Sequence, residues 1–448
     1  MSYGEAIEYL RGLGLYGARL GLENAIRLAH FAGDPHKNLR FIHVAGTNGK
    51  GSTCAMLESI YRHAGLKVGL FTSPHLVSFS ERMQIDRVPI GRAEVADLVC
   101  RLRDWISQGW NSPTAPADLE HPPTFFEAVT IMALVYFAEQ RCDLVIWETG
   151  LGGRLDATNI VTPMASVVTN VQWDHQEWLG ATLKEIAFEK AGIIKDRVPV
   201  FTATSEQEAL DVIRRVAFEK NAPLTEVNER ELPRLGLDAI SLPLAGAHQQ
   251  LNAALAISVV LGLEACLPVS RTILFESLAR VVWRGRFEVF ERPDGGTLVV
   301  DGAHNPGGAA AFCEALRARY PLGDVCLIFG VFADKDWRSM IRSFAALPHR
   351  VVLVPIQSER SARTEDLKSV WSEVNPDANI QLVTGLREAL EVTSNEPLTV
   401  VVGSLYLAGE CIGLLSGSSI GESHIEEITL NESGKRGIAV SDQRENGS

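Results

Sequence analysis

Cysteine is sparse and unpatterned in this chain. Seven occur in 448 residues, at positions 54, 100, 142, 266, 313, 326 and 411, an odd number with no C-x-x-C spacing. This argues against a disulfide framework and a spaced zinc site, and predicts reduced thiols in a cytoplasmic protein. Long apolar runs are also missing. None reaches the ~18–20 residues of a membrane span, so no membrane partner is expected. The opening "MSYGEAIEYLRGLG" has early acids and no long apolar stretch, so it does not read as a secretion signal. Positive charge is in deficit, with 42 Lys and Arg against 55 Asp and Glu and a net charge of −13. Nonspecific nucleic-acid binding needs the opposite balance, so no nucleic-acid partner is expected. Small anions stay open as ligands, because local donors can hold them. No internal repeat is visible. What remains is a globular composition, 46% apolar and 22% charged. The length suffices for about two or three domains of roughly 150 residues each.

Short β-rich runs alternate with helical patterns along the first part. Strands are predicted at 41–45, 67–72, 143–148, 165–169 and 198–202, and helices at 52–64, 93–107, 125–140, 182–191, 206–220 and near 248–262. This is the rhythm of a parallel sheet covered by helices, whose ligands bind beyond the carboxyl ends of the strands. Residues 107–123 are proline-rich and read as a loop. Then "RFEVFERPDGGTLVVDGAHNPGG" predicts a hairpin turning at Asp294-Gly295-Gly296. Alternation resumes with helices at 309–319, 336–346, 365–373, 385–393 and 404–415, and strands at 325–330, 350–355, 380–383 and 398–402. The expected organisation is an α/β unit over 1–285, a smaller α/β unit over 286–415 and a disordered polar tail over 416–448.

The stretch "FIHVAGTNGKGST", Phe41 to Thr53, reads as strand, glycine turn and helix start. It departs from the common phosphate-loop spacing G-x-x-x-x-G-K-[ST]. Val44 stands where the first glycine belongs, and Gly51 separates Lys50 from Ser52. It can still cradle phosphate. Gly46, Gly49 and Gly51 permit close backbone approach, the helix N-terminus offers free N–H groups, and Lys50 adds a cation. A glycine turn with a solvated lysine is the competing reading. Further candidates flank it. Glu148 ends the strand "DLVIWE" and suits either Mg²⁺ or a strand-end salt bridge. "TGLGGRLDATN" is glycine-dense, and His175 follows another strand. Lys190 occupies the last turn of a helix stopped by Gly192, where the dipole favours an ordinary ammonium. Arg286 lies at the junction, able to reach a phosphate or form an interdomain ion pair. Asn252 lies on a helix, and Asp301 and His304 sit at a strand end.

"HVAGTNGKGS", "FTSPHL", "ERMQID", "TFFEAVT", "ETGLGGRLDATN", "DHQEWLG", "FEKAGI", "HQQLNAALA", "WRGRFE", "DGAHNPGG" and "GSLYLAGE" occur in that order. Together they resemble the folylpolyglutamate synthase and dihydrofolate synthase family of the Mur ligase superfamily, over roughly residues 40 to 410. Within that family the extra glycine after the lysine is usual, so the misfit is itself diagnostic. The resemblance implies a phosphate-loop domain of the Mur-ligase central type followed by a smaller Rossmann-like domain, with ATP between them. It implies ATP contacts from Thr47, Asn48, Gly49, Lys50, Gly51, Ser52, Asn252, Arg286 and Asp301. Ser73, Glu148, His175 and Lys190 as a carbamate would hold two Mg²⁺ ions, with a monovalent cation as a further candidate. Lys50, Lys190 and His304 would serve catalysis. Thr124, Phe125, Phe126, Glu127, Leu155, Asp156 and Ala157 would line the pteroate site.

The implied reaction is ATP-dependent amide formation between L-glutamate and dihydropteroate, a folate, or both, in a monomer. A carboxylate leaves poorly until phosphorylation makes it an acyl phosphate, and that transfer needs charge neutralisation and alignment. One tension is physical. Lys190 must lose a proton before CO₂ adds, against the helix dipole, so the carbamate is expected only with a metal pair. Two rivals stand beside this reading: a Mur-type ligase acting on a UDP-sugar, and a slowly hydrolysing ATP-binding regulatory protein.

Overall fold

The structure is a computed structural model that describes residues 1–14, 21–110, 122–237, 240–292, 295–320, 325–416 and Leu430. The strands are β1 (Phe41–Ala45), β2 (Val68–Phe71), β3 (Met83–Ile85), β4 (Val88–Pro89), β5 (Leu144–Glu148), β6 (Ala165–Val168), β7 (Val200–Thr202) and β8 (Leu224–Glu226), then β9 (Glu288–Glu291), β10 (Thr297–Val300), β11 (Val325–Phe329), β12 (Pro348–Leu353), β13 (Asn379–Leu382) and β14 (Leu398–Val402). The first eight form one sheet in the order β4-β3-β2-β5-β1-β6-β7-β8, and the last six form another in the order β13-β12-β11-β14-β10-β9. Pairing is parallel except at β2-β3, β3-β4 and β9-β10.

Both faces of the first sheet are covered, which is why its central strands are continuous apolar runs. On β1, Phe41 packs with Phe71, Val145 and Trp147 against the helices Tyr3–Gly14, Glu23–Phe31, Arg92–Trp110 and Phe125–Glu139. Its neighbours Ile42 and Val44 face the other way, with Leu70 and Ile146, against the helices Lys50–His63, Ala247–Gly262 and Arg271–Leu278. The period-two split puts β1 at the centre with β5 and β6 on either side. Its carboxyl end, where the glycine turn begins, therefore opens at the middle of the sheet.

The alternation read from the sequence matches this architecture, with local differences. The sheets are mixed, because β3 and β4 fold back as a short antiparallel edge, and Pro89 ends it where no ladder donor is required. Strand β8 and the two N-terminal helices were not expected. The helix Arg92–Trp110 continues into the stretch read as a loop; its first proline is Pro113, beyond the last helical turn. The hairpin β9-β10 is present, and Asp294 of its turn lies outside the described residues. So does the polar tail, apart from Ser416 and Leu430, and Leu430 is buried in the core of the first sheet.

Candidate functional site

One cavity of about 870 Å³ opens between the two sheets, and all of the site residues named from the sequence line it. The turn after β1 forms its floor. Gly46 allows the strand end to pass Thr169, whose Oγ1 lies 1.8 Å from where a Cβ would stand. Gly49, at φ +83°, starts the helix Lys50–His63 in the left-handed region, and no side chain caps that helix. Its first amide N–H groups are thus left for an anion. Asn48 is held from three sides. Its N–H donates to Asn170 Oδ1 at 2.8 Å, its carbonyl accepts from Thr169 Oγ1 at 2.6 Å, and its Nδ2 donates to Gln172 Oε1 at 2.8 Å. Lys50 Nζ folds back onto the carbonyls of Gly46 at 3.0 Å and Thr47 at 3.2 Å.

Lys190 reaches the same turn, its Nζ donating to Gly46 O at 2.9 Å, and its side chain is buried. Burial, with Lys50 nearby, brings its ammonium down to about 7. Helix position alone would favour the ammonium. Desolvation is the largest cause of this shift and favours the free amine that CO₂ addition needs. Glu148 ends β5, buried, and accepts the Ser73 N–H at 3.0 Å. Burial pushes its carboxyl up to about 7, with Lys50, the Ser73 amide and two arginines pulling the other way. A cation beside it would restore the ionised form. Among the described residues no group of three or more His, Cys, Asp or Glu side chains makes a metal cage. The donor set fits Mg²⁺, which keeps waters and binds through one or two carboxylates plus phosphate oxygens.

The second sheet closes the cavity. Arg286 enters from the junction, its Nη1 donating to Gly285 O at 3.0 Å. Asp301 spends its carboxylate on the amides of Phe287 and Ala303, at 2.8 and 2.7 Å, which fixes the junction loop against β10. His304 Nδ1 sits 2.8 Å from Gly302 O, and burial brings the imidazole down to about 4. Asn252 lies beside the phosphate loop, with Oδ1 2.6 Å from where a Cβ on Gly49 would stand.

The remaining wall joins aromatic rings to polar groups already satisfied within their own segments. Phe126 lies over Gly150, where a Cβ would meet its ring at 2.4 Å, while Phe125 turns into the core beneath the Arg82 guanidinium, 5.3 Å from the ring centroid. Thr124 and Glu127 form a capping box for the helix Phe125–Glu139. That T-x-x-E signature was readable in the sequence. Asp156 is likewise engaged within its own loop, accepting from the Leu151 and Thr158 amides at 2.8 and 3.0 Å.

Sequence reasoning missed the polar centre that joins the two halves. Asp174 accepts Lys335 Nζ at 2.7 Å and Asn305 Nδ2 at 3.1 Å, with His175 and His304 Nε2 at 3.8 and 3.9 Å. Burial alone would raise its carboxyl; His175, Lys335 and His304 overturn that and hold it well below the usual range. Asn305 also pairs amide to amide with Asn48, at 3.0 and 3.1 Å. Only the acid beside His175 was a signal for this centre. Lys335 and Asn305 are far away in sequence and ordinary in composition.

A glycine turn opening an uncapped helix, a buried amine and carboxylate beside it, and a second α/β unit closing over them fit a Mur-type ligase. Residues 44–227 match the Mur ligase middle domain, and residues 285–405 match the Mur ligase, glutamate ligase domain. The chain is 34% identical over 438 residues to a dihydrofolate synthase/folylpolyglutamate synthase of Bacillus subtilis, covering 91% of this chain and 98% of that protein. It superposes on folylpolyglutamate synthase from Thermotoga maritima with a TM-score of 0.79 at 30% identity, covering 94% of this chain and 99% of that one. It superposes on Escherichia coli FolC in complex with DHPP and ADP with a TM-score of 0.80 at 28% identity, covering 93% and 98%. The chain belongs to the dihydrofolate synthase/folylpolyglutamate synthase family of ATP-dependent ligases.

Proposed function

We propose that this chain joins the amine of L-glutamate to the carboxylate of dihydropteroate, to the γ-carboxylate of a folate, or to both, through an acyl phosphate made with ATP. The observation that carries the reading is the convergence of Lys50, Lys190, Glu148, Arg286 and His304 on one cavity beside an uncapped helix N-terminus. In this reading residues 1–285 bind ATP and the pteroate portion, and residues 286–415 complete the site for ligation.

Thr47 to Ser52 hold the nucleotide phosphates, and Lys50 leaves its loop carbonyls for them. Asn252 and Asp301 shape the nucleotide's two ends, and Arg286 offsets charge on the transferred phosphoryl group. Ser73, Glu148, His175 and carbamylated Lys190 would hold Mg²⁺, which neutralises phosphate charge. The pteroate portion lies between Phe126 and the Leu155–Ala157 loop, with Thr124 and Glu127 fixing the helix that carries Phe126. His304, kept neutral by burial, sits where it can take a proton from the attacking amine. Closure excludes the water that would hydrolyse the acyl phosphate. All seven cysteines are free thiols, as a reducing compartment would keep them. The UDP-sugar and regulatory readings lose support, since the close relatives are folylpolyglutamate and dihydrofolate synthases.

The deciding experiment is a mass-spectrometric product assay with ATP, Mg²⁺ and glutamate, offering dihydropteroate and tetrahydrofolate separately. A mass gain of one glutamate is expected with at least one acceptor. ATP binding without product from either would sink the assignment.

A further inference from the structure

A buried histidine beneath the phosphate loop has no part in the chemistry above. His43 lies at the centre of β1, fully buried, in register with Trp147 on β5 and Ser166 on β6. Its Nε2 is 2.9 Å from Thr158 Oγ1. The Thr158 hydroxyl donates in turn to Asp156 Oδ1, which also accepts the Thr158 amide at 3.0 Å. Asp156 Oδ2 accepts the Leu151 amide at 2.8 Å. One carboxylate thus ties together both ends of the loop carrying Leu155 and Ala157. The line from sheet to loop stays in the dry interior, with His43 and Thr158 at 0% exposure and Asp156 at 5%.

Burial raises the Asp156 carboxyl, while hydrogen bonds from Thr158, Leu151 and Gly150 favour its ionised form; with Asp156 ionised, proton counting sets the roles. A hydroxyl carries one proton, and a carboxylate ringed by N–H and O–H donors can only accept. The Thr158 proton therefore points to Asp156, and the hydroxyl lone pair faces His43. Nε2 must then be the protonated nitrogen, because the partner of one ring nitrogen sets the tautomer. His43 Nδ1 has no hydrogen-bond partner among the described residues, as suits a bare lone pair. Burial brings the imidazole down to about 3, so the ring is neutral at any working pH.

We propose that His43 is a positioning residue: as the Nε2–H tautomer it orients Thr158, and through it Asp156, so that the Leu151–Ala157 loop stands at the right place for the pteroate portion. This rests on the reading of that loop as part of the acceptor wall.

The test combines kinetics and ¹⁵N NMR on the full chain. His43→Leu keeps apolar bulk and removes the donor. It should raise KM for the acceptor about tenfold and leave KM for ATP within about twofold, because one charge-linked buried contact is lost. Thr158→Val should show the same split, and His43→Gln, which restores an N–H, should recover part of it. In ¹⁵N-histidine-labelled wild-type protein, His43 should show the neutral Nε2–H signature, unchanged between pH 5 and 9. A neutral Nδ1–H signature, protonation within that range, or unchanged acceptor KM in both His43→Leu and Thr158→Val overturns the proposal. So do equal losses for acceptor and ATP. Should His43→Leu fail to fold, Thr158→Val and the NMR signature decide. Phe126→Ala and Leu155→Ala separate the two layers. If they too leave acceptor KM unchanged, the wall assignment is at fault; if they raise it and the His43 and Thr158 variants do not, the relay alone is wrong.

Discussion

Gly51 is the residue that makes this phosphate loop irregular, and its neighbour supplies a reason. A Cβ at that position would stand 2.9 Å from Trp283 Nε1 and 3.0 and 3.1 Å from two ring carbons. Trp283 is partly buried against the core that includes the helix Lys50–His63. The Arg87 guanidinium lies 5.2 Å from its ring centroid and donates to Val282 O at 2.9 Å. Gly51→Ala therefore forces the indole to move, at about 1–3 kcal/mol for overpacking. Loosening the cation–π contact adds about 0.5–1 kcal/mol. Working against these, alanine in a helix is favoured over glycine by about 1 kcal/mol. The overlap wins, and a net loss of about 0.5–3 kcal/mol is expected, with weaker binding of a nonhydrolysable ATP analogue because the displaced groups border the loop. Urea midpoints and calorimetric titration measure both. Gly51→Ala with Trp283→Leu should be less damaging than the sum of the single changes, by about 1 kcal/mol. Parent-like stability and binding in Gly51→Ala, or strict additivity in the pair, would refute the steric account.

Lys190→Ala should lose most turnover and regain some with added short carboxylic acids; full activity would remove the carbamate from the mechanism. In the wild type, a ¹³C carbamate signal from labelled bicarbonate should rise as pH passes about 7. At pH 7.5 an amine with that value is about three-quarters free, against about one part in a thousand for a lysine at its ordinary 10.5. Glu148 carries the same sign for a different reason. Its raised value of about 7 means cation binding must expel a proton, so Mg²⁺ affinity should strengthen with rising pH and level off above about 7. Glu148→Gln should weaken binding and flatten that dependence, and an unchanged pH profile would show that another group controls it. Lys335→Ala leaves Asp174 buried without its ion pair, at about 3 kcal/mol, and should open the two halves in small-angle scattering. Asp174→Asn in the same chain should restore part of the stability, and an unaltered scattering profile would mean the pair does not hold the halves together.

Much of the fold was legible because it obeys local rules. The strands β1, β5, β6, β11 and β14 are compact apolar runs bounded by polar or glycine residues, and the helices between them carry regular apolar spacing. The elements missed include those with weak local signals, two-residue β4, three-residue β3 and β8 and the short helices Gln176–Leu179 and Leu232–Leu235, and also the N-terminal helices and the helix Arg271–Leu278. The loop read at Ser107 to Trp110 was helical because its prolines begin only at 113. Thr124 and Glu127 carried a capping signature that went unread beside the family resemblance.

The sequence by itself determined the glycine turn before the helix Lys50–His63, the alternation of strands and helices, and the order of the motifs, because glycine conformation, side-chain period and helix-end chemistry act over a few residues. Tertiary structure alone decided the electrostatics. Lys190 and Glu148 are ordinary residues in the chain and become a poised amine and carboxyl through burial, which Lys50 reinforces for Lys190 and opposes for Glu148. Asp174 gains its partners from residues as distant as Asn305 and Lys335. Desolvation and Coulomb interaction depend on distance in space and on what excludes water, and neither quantity is written along the chain.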